Sequence, residues 1–151
     1  MASGAGAAPE IGLTFDCADP RAQARFWTIA LGYAPAPVPE GWDTWEAFFS
    51  DHDVPPEEWG DGAGICDASG RRPPISFLKV PEAKRAKNRL HLDVKVSGGR
   101  DVDQVQRLSR IEAKVVELLA AGAAVQARDV VRGRLDHVVM LDPEGNEFCV
   151  A

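Results

Sequence analysis

Cysteine is scarce in this chain, and the three present, Cys17, Cys66 and Cys149, are too scattered for a disulfide framework or a zinc ribbon. No apolar run approaches the ~20 residues that a membrane-spanning helix needs, so no membrane partner is expected. Positive charge is also in deficit. Lys and Arg number 17 against 23 Asp and Glu, a net charge of −6, and no basic stripe of the kind that marks a nucleic-acid binder is present. The opening stretch Met1–Pro9 lacks both a basic start and a long apolar core, so it reads as a floppy tail and not as a signal peptide. These absences leave the cytoplasm as the default compartment.

What remains is the composition of an ordinary globular protein: 151 residues, 45% hydrophobic and 26% charged, enough for one domain with a sizeable core. The clearest local signal is at the end, LDHVVMLDPEGNEFCV. Two apolar runs, Val138–Leu141 and Phe148–Val150, flank Asp142-Pro143-Glu144-Gly145. Asp suits the first position of a type I turn, Pro the second and Gly the fourth, which predicts a closing β-hairpin. Its second strand places Glu147 on one face with Cys149 and Phe148 on the other.

Earlier segments repeat this grammar. Ile11–Cys17 reads as a strand, and Asp19-Pro20 as the N-cap and first position of a helix that ends at Gly32, with Ala22, Phe26, Ile29 and Ala30 on one face. Tyr33–Glu40 holds three prolines and reads as a loop or irregular edge. Trp42–Ser50 is a predicted strand, followed by the acidic, turn-rich excursion Asp51–Gly64, a short strand near Ala63–Ala68 and a strand at Ile75–Val80. A basic connector, Pro81–Asn88, follows. Then the pattern restarts: an alternating strand at Arg89–Val96, and a helix at Asp101–Ala121 with Val102, Val105, Leu108, Ile111, Val115 and Leu118/Leu119 at helical spacing. A strand at Ala124–Val131 and the closing hairpin complete it. The expected architecture is therefore α+β, two tandem βαβββ modules whose curved mixed sheets form a cleft. Residues 1–10 are a tail and 11–151 a single domain, with module one at 11–80, the connector at 81–88 and module two at 89–151.

The run Asp19-Pro20 to Ala24-Arg25-Phe26-Trp27 and Leu31-Gly32-Tyr33 resembles the first helix of the vicinal oxygen chelate superfamily. Asn88-Arg89-Leu90-His91-Leu92-Asp93 and Asp142-Pro143-Glu144-Gly145-Asn146-Glu147-Phe148 resemble its glyoxalase-like, bleomycin-resistance-like branch. The combination is specific for the fold and not for one reaction, since relatives include glyoxalases, ring-cleaving dioxygenases, epimerases, fosfomycin-modifying transferases and metal-free sequestering proteins. The resemblance implies a small-molecule ligand, a homodimer and, in metal-dependent members, ligands from the first and last strands of each module. In module two those positions are His91 and Glu147. In module one they are Gly12, or Thr14 if the register slips by two, and Ser76. Glycine offers no side-chain donor and serine is a poor ligand for Zn²⁺, Ni²⁺ or Fe²⁺, so the metal site is expected to be incomplete.

Two readings follow. In one, the protein binds a small organic molecule in the cleft, lined by His91, Asp93, Trp42, Trp45, Phe48 and Ser76. In the other, it is a metal-dependent lyase, isomerase or dioxygenase in which His91 and Glu147 hold Zn, Ni, Mn or Fe and Glu147 ligates or acts as base. Asp93 is either a third ligand or an orienting partner, or else a solvent-facing carboxylate beside Lys95. The tryptophans either line a pocket or fill the space between sheet and helix. Lys84, Arg85, Lys87 and Arg89 either clamp an anion at the mouth or form a solvated linker. His137 is expected to play a surface role, His52 to decorate its loop, and Cys17 and Cys149 to behave as small buried hydrophobes.

Overall fold

The computed structural model describes residues 9–151, so most of the expected N-terminal tail lies outside the described residues. Module one runs β1 (Leu13–Cys17), α1 (Pro20–Leu31), β2 (Ala34–Pro35), α2 (Trp45–Asp51), a single 3₁₀ turn at Pro56–Glu58, β3 (Gly62–Cys66) and β4 (Ile75–Lys79). Module two runs β5 (Asp93–Val94), α3 (Gln104–Ala120), β6 (Ala124–Val131), β7 (Arg134–Leu141) and β8 (Glu147–Val150). Each module folds into a four-stranded mixed sheet, in the orders β1-β4-β3-β2 and β5-β8-β7-β6. The first and last strands of each module pair in parallel and the rest antiparallel. The doubled α+β expectation holds.

Local chemistry explains the element ends. Asp19 accepts a hydrogen bond from the Ala22 amide at 2.9 Å, Pro20 occupies the first turn, and Gly32 stops α1 at φ 63°. In the closing hairpin the Gly145 amide donates to the Asp142 carbonyl at 2.9 Å, as the DPEG sequence predicts.

Four expectations change in the structure. The Trp42–Ser50 segment is not a strand. Thr44 caps α2 by accepting from the Ala47 amide, and Trp45, Phe48, Phe49 and His52 recur at helical spacing. Their aromatic β preference was outweighed by the cap and the period. The expected strand at Arg89–Val96 is reduced to Asp93–Val94, because the chain before it turns aside to meet Glu147. On α1 the buried face is Gln23, Phe26, Trp27 and Ala30, and Ile29 is exposed. On α3 it is Arg107, Ile111, Val115 and Leu118, with Val105 and Leu108 outside. Both helices present a face turned from the one that apolar periodicity favours.

The core draws on both modules. Trp27 of α1 lies 5.1 Å from Phe148 of β8, centroid to centroid, and 5.2 Å from Phe15 of β1. Its indole N–H donates to buried Asp142 at 3.2 Å. The Glu144 carboxylate accepts from the Ala18 and Asp19 amides at 2.8–3.0 Å, so the last hairpin of module two caps the entry to the first helix of module one.

Candidate functional site

Alternation divides each sheet into a helix-packed face and an open face. In the second sheet Val138, Met140, Phe148 and Val150 are buried under the helices. The opposite face presents Val139, Leu141 and Cys149 as an apolar floor, since Val139 pairs with Cys149 and Leu141 with Glu147. Glu147 stands at one end of this floor. His137 and Asp129, cross-strand partners, stand at the other. Asp93, paired with Cys149, lines the β5 side. In the first sheet the matching open face holds Thr14, Ser76 and Leu78, with Gly62 and Gly64 opposite Leu78 and Ser76. Thr14, not Gly12, pairs with Ser76.

Glu147 is only 8% exposed. One of its oxygens accepts from the Asn88 amide at 3.0 Å and from the Lys84 ammonium at 3.0 Å. Lys84 also donates to the Ala86 carbonyl at 2.7 Å. The connector is thus folded into the site, and Lys84, which a solvated linker would have left outside, is the counter-charge of Glu147. The Asn88 amide, then Lys84, hold the Glu147 carboxyl down at about 2, against burial that opposes them.

The sign of the pH effect follows. A carboxyl depressed from its ordinary 4.5 to about 2 stabilises the fold fully above about 4.5 and loses that contribution as pH falls toward about 2. Urea titrations across this window should therefore show an acid destabilisation that is smaller in Glu147→Gln. Identical pH profiles for the two proteins would contradict the assignment.

His91 does not touch Glu147. Its Nε2 faces the Lys87 ammonium at 2.9 Å and the Asn88 carbonyl at 3.2 Å. Among the described residues no three His, Cys, Asp or Glu side chains group around a common point. The donors that the superfamily would offer to a divalent metal do not fit one in this arrangement: Thr14 and Ser76 carry only hydroxyls, and ammonium groups face both His91 and Glu147.

His137 departs from the surface role expected of it. Its side chain is three-quarters buried, with Nε2 3.2 Å from Asp129 and Nδ1 3.1 Å from Asp136. The hydrogen bond from His137, and then the charge of Arg100, hold the Asp136 carboxyl below its usual range. The only sequence signal was its shared parity with Val139 and Leu141.

The aromatic residues of the excursion form their own cluster. Trp42 contacts Phe48 at 5.0 Å and His52 at 5.2 Å, Trp45 stacks on Phe49 at 5.5 Å, and Phe49 leads to Trp59 at 6.2 Å. No residue of α2 is fully buried, so these rings do not fill space between sheet and helix. Burial raises the Cys17 thiol to about 11, with help from Glu144, and raises Cys149 as well. Neither is an activated nucleophile.

A family model described as a glyoxalase-like domain matches residues 12–151. No curated protein matches the chain by sequence. Among solved structures, a glyoxalase/bleomycin resistance protein/dioxygenase family enzyme from Burkholderia phytofirmans PsJN is similar, at 17% identity and a TM-score of 0.55, over 91% of this chain and 93% of that one. The fosfomycin resistance protein FosX from Listeria monocytogenes, complexed with Mn(II) and sulfate, gives 9% identity and a TM-score of 0.58 over 95% and 89% of the two chains. A glyoxalase-related enzyme from Fulvimarina pelagi gives 15% and 0.55 over 94% and 86%. At these identities the likeness is one of fold.

Proposed function

Because the chain belongs to the glyoxalase-like domain family of the vicinal oxygen chelate superfamily, we propose that it binds a small organic molecule over the open face of its second sheet, using a fixed ammonium where metal-dependent relatives use a cation. The Lys84–Glu147 pair is the observation that carries this reading. An ammonium has three donors, and Lys84 spends two on Glu147 and Ala86. The third is left for a ligand oxygen. Val139, Leu141 and Cys149 supply apolar contact, while Asp93 and His91 give polar edges; Ser76 stands on the first sheet, apart from this face. Trp42, Trp45 and Phe48 form a separate aromatic cluster that would offer a flat ligand its own surface. The proposed protein acts as a homodimer in the cytoplasm. Among the described residues no helix is long and apolar enough to cross a membrane.

The second reading is a metal-dependent lyase, isomerase or dioxygenase in which His91 and Glu147 take up Mn, Zn, Ni or Fe. It is favoured by the Mn(II) complex of FosX. It requires Lys84 to leave Glu147, and that distinguishes the two. Calorimetric titration of tag-free wild type with each divalent ion is expected to show no stoichiometric site. Lys84→Met, freed of a competing unit charge, is expected to gain at least about tenfold in metal affinity, equivalent to ~1.4 kcal/mol. Tryptophan quenching by aromatic compounds should be independent of metal. Tight metal binding by wild type that is lost in His91→Ala would replace the first reading with the second.

A further inference from the structure

A second cleft lies on the other face of the second sheet, between the start of α3 and the tip of the β6–β7 hairpin. Its volume is about 690 Å³, within the range of small-molecule sites. Arg100, Arg107, Arg132 and Arg134 line it, and Asp136 is its only lining carboxylate. Four arginines thus line one cleft in a chain whose net charge is −6. Asp136 is already engaged, by Arg100 at 3.3 Å and by His137 at 3.1 Å.

Arg107 is the decisive residue. It is 8% exposed, yet its Nε has no hydrogen-bond partner among the described residues. The Arg107 charge acts on Asp136 across the cleft, but its Nε is left over, and a buried guanidinium N–H ordinarily finds a carboxylate, a carbonyl or a bound anion because leaving it unpaired is costly. Arg107 sits on the packed face of α3, one turn before Ile111, where an apolar side chain would be stable without help. Arg132 adds to the pattern. It adopts φ 52° beside Gly133 at φ 76°, a tight primed turn in which asparagine is the favoured first residue and arginine is not.

We propose that this cleft is a binding site for a small molecule bearing a phosphoryl group, with Arg107 as its anchor and Arg100, Arg132 and Arg134 closing around the anion. Planar guanidinium forks match the oxygens of a phosphoryl group two at a time. The site is separate from the Glu147 face. Asp136 and Glu147 lie on opposite faces, and Leu141, which pairs with Glu147, is five residues along β7 from Asp136, or about 17 Å.

The test uses the full chain, with inorganic pyrophosphate, inorganic phosphate and glucose 6-phosphate as probes, each against sodium chloride at equal ionic strength. Saturable binding by calorimetry, with a rise in thermal midpoint, is expected for pyrophosphate or glucose 6-phosphate. Tighter binding of glucose 6-phosphate than of phosphate identifies a phosphorylated metabolite. The reverse identifies free phosphate. Arg107→Met should fold at an equal or higher midpoint without ligand and lose at least tenfold in affinity. Arg132→Asn keeps the turn and should lose at least threefold, and it remains informative if Arg107→Met does not fold. Lys84→Met should bind these anions as wild type does, which separates this site from the one above. Affinity no greater than that for chloride, or undiminished in both arginine variants, overturns the proposal. So does a single-stranded oligonucleotide that binds more tightly than every small anion.

Discussion

Replacing Asp142 by alanine is expected to cost about 3–5 kcal/mol of folding stability and to lower the thermal midpoint by about 10 °C or more. The side chain is 3% exposed and organises the closing hairpin from inside. One oxygen accepts from the Glu144 and Asn146 amides at 3.0 and 2.9 Å, and the Asn146 side-chain amide reaches both oxygens. The other oxygen takes the indole N–H of Trp27, which is itself 1% exposed. Alanine would leave that N–H buried without a partner and free a turn whose third residue, Glu144, caps the entry to α1. Asp142→Asn keeps an acceptor and should lose only about 1–2 kcal/mol. Equilibrium urea denaturation measures both, and a loss below about 1 kcal/mol for alanine would show that the hairpin does not depend on this carboxylate.

Phe148→Ala should cost a further large amount, about 3–5 kcal/mol, by opening a cavity at the meeting of the two modules. Phe148 is 0% exposed and sits edge-on to Phe26 at 5.8 Å and to Trp27 at 5.1 Å. Aromatic contacts of this geometry add to the burial term. Because both neighbours belong to α1, the loss should weaken the hold of module two on module one and flatten the near-ultraviolet circular dichroism of Trp27. Phe148→Leu refills most of the volume and should lose about 1–2 kcal/mol. Equal effects of alanine and leucine would argue that the site collapses freely.

These residues mark where reading the chain succeeds. DPEG and Asp19-Pro20 act through their own neighbours in sequence, so their turn and cap are legible without a fold. The packed face of α3 was not legible in the same way. Apolar spacing selected Leu108, whereas the sheet receives Arg107. Trp42–Ser50 was misread because aromatic content and helical spacing compete in so short a segment.

By itself, then, the sequence determined the doubling of the module, most of its strands and helices, and the hairpin chemistry. All of these rest on interactions within a few residues or on patterns repeated along the chain. Only the tertiary structure decided what Glu147 faces. Its partner Lys84 lies 63 residues away, and the cap that Glu144 places on Ala18 spans 126. No local propensity encodes such a meeting, because a charge seeks whichever opposite charge packing brings close. The same packing buried Arg107 in the lining of a cleft and left Leu108, which the apolar spacing selected, exposed.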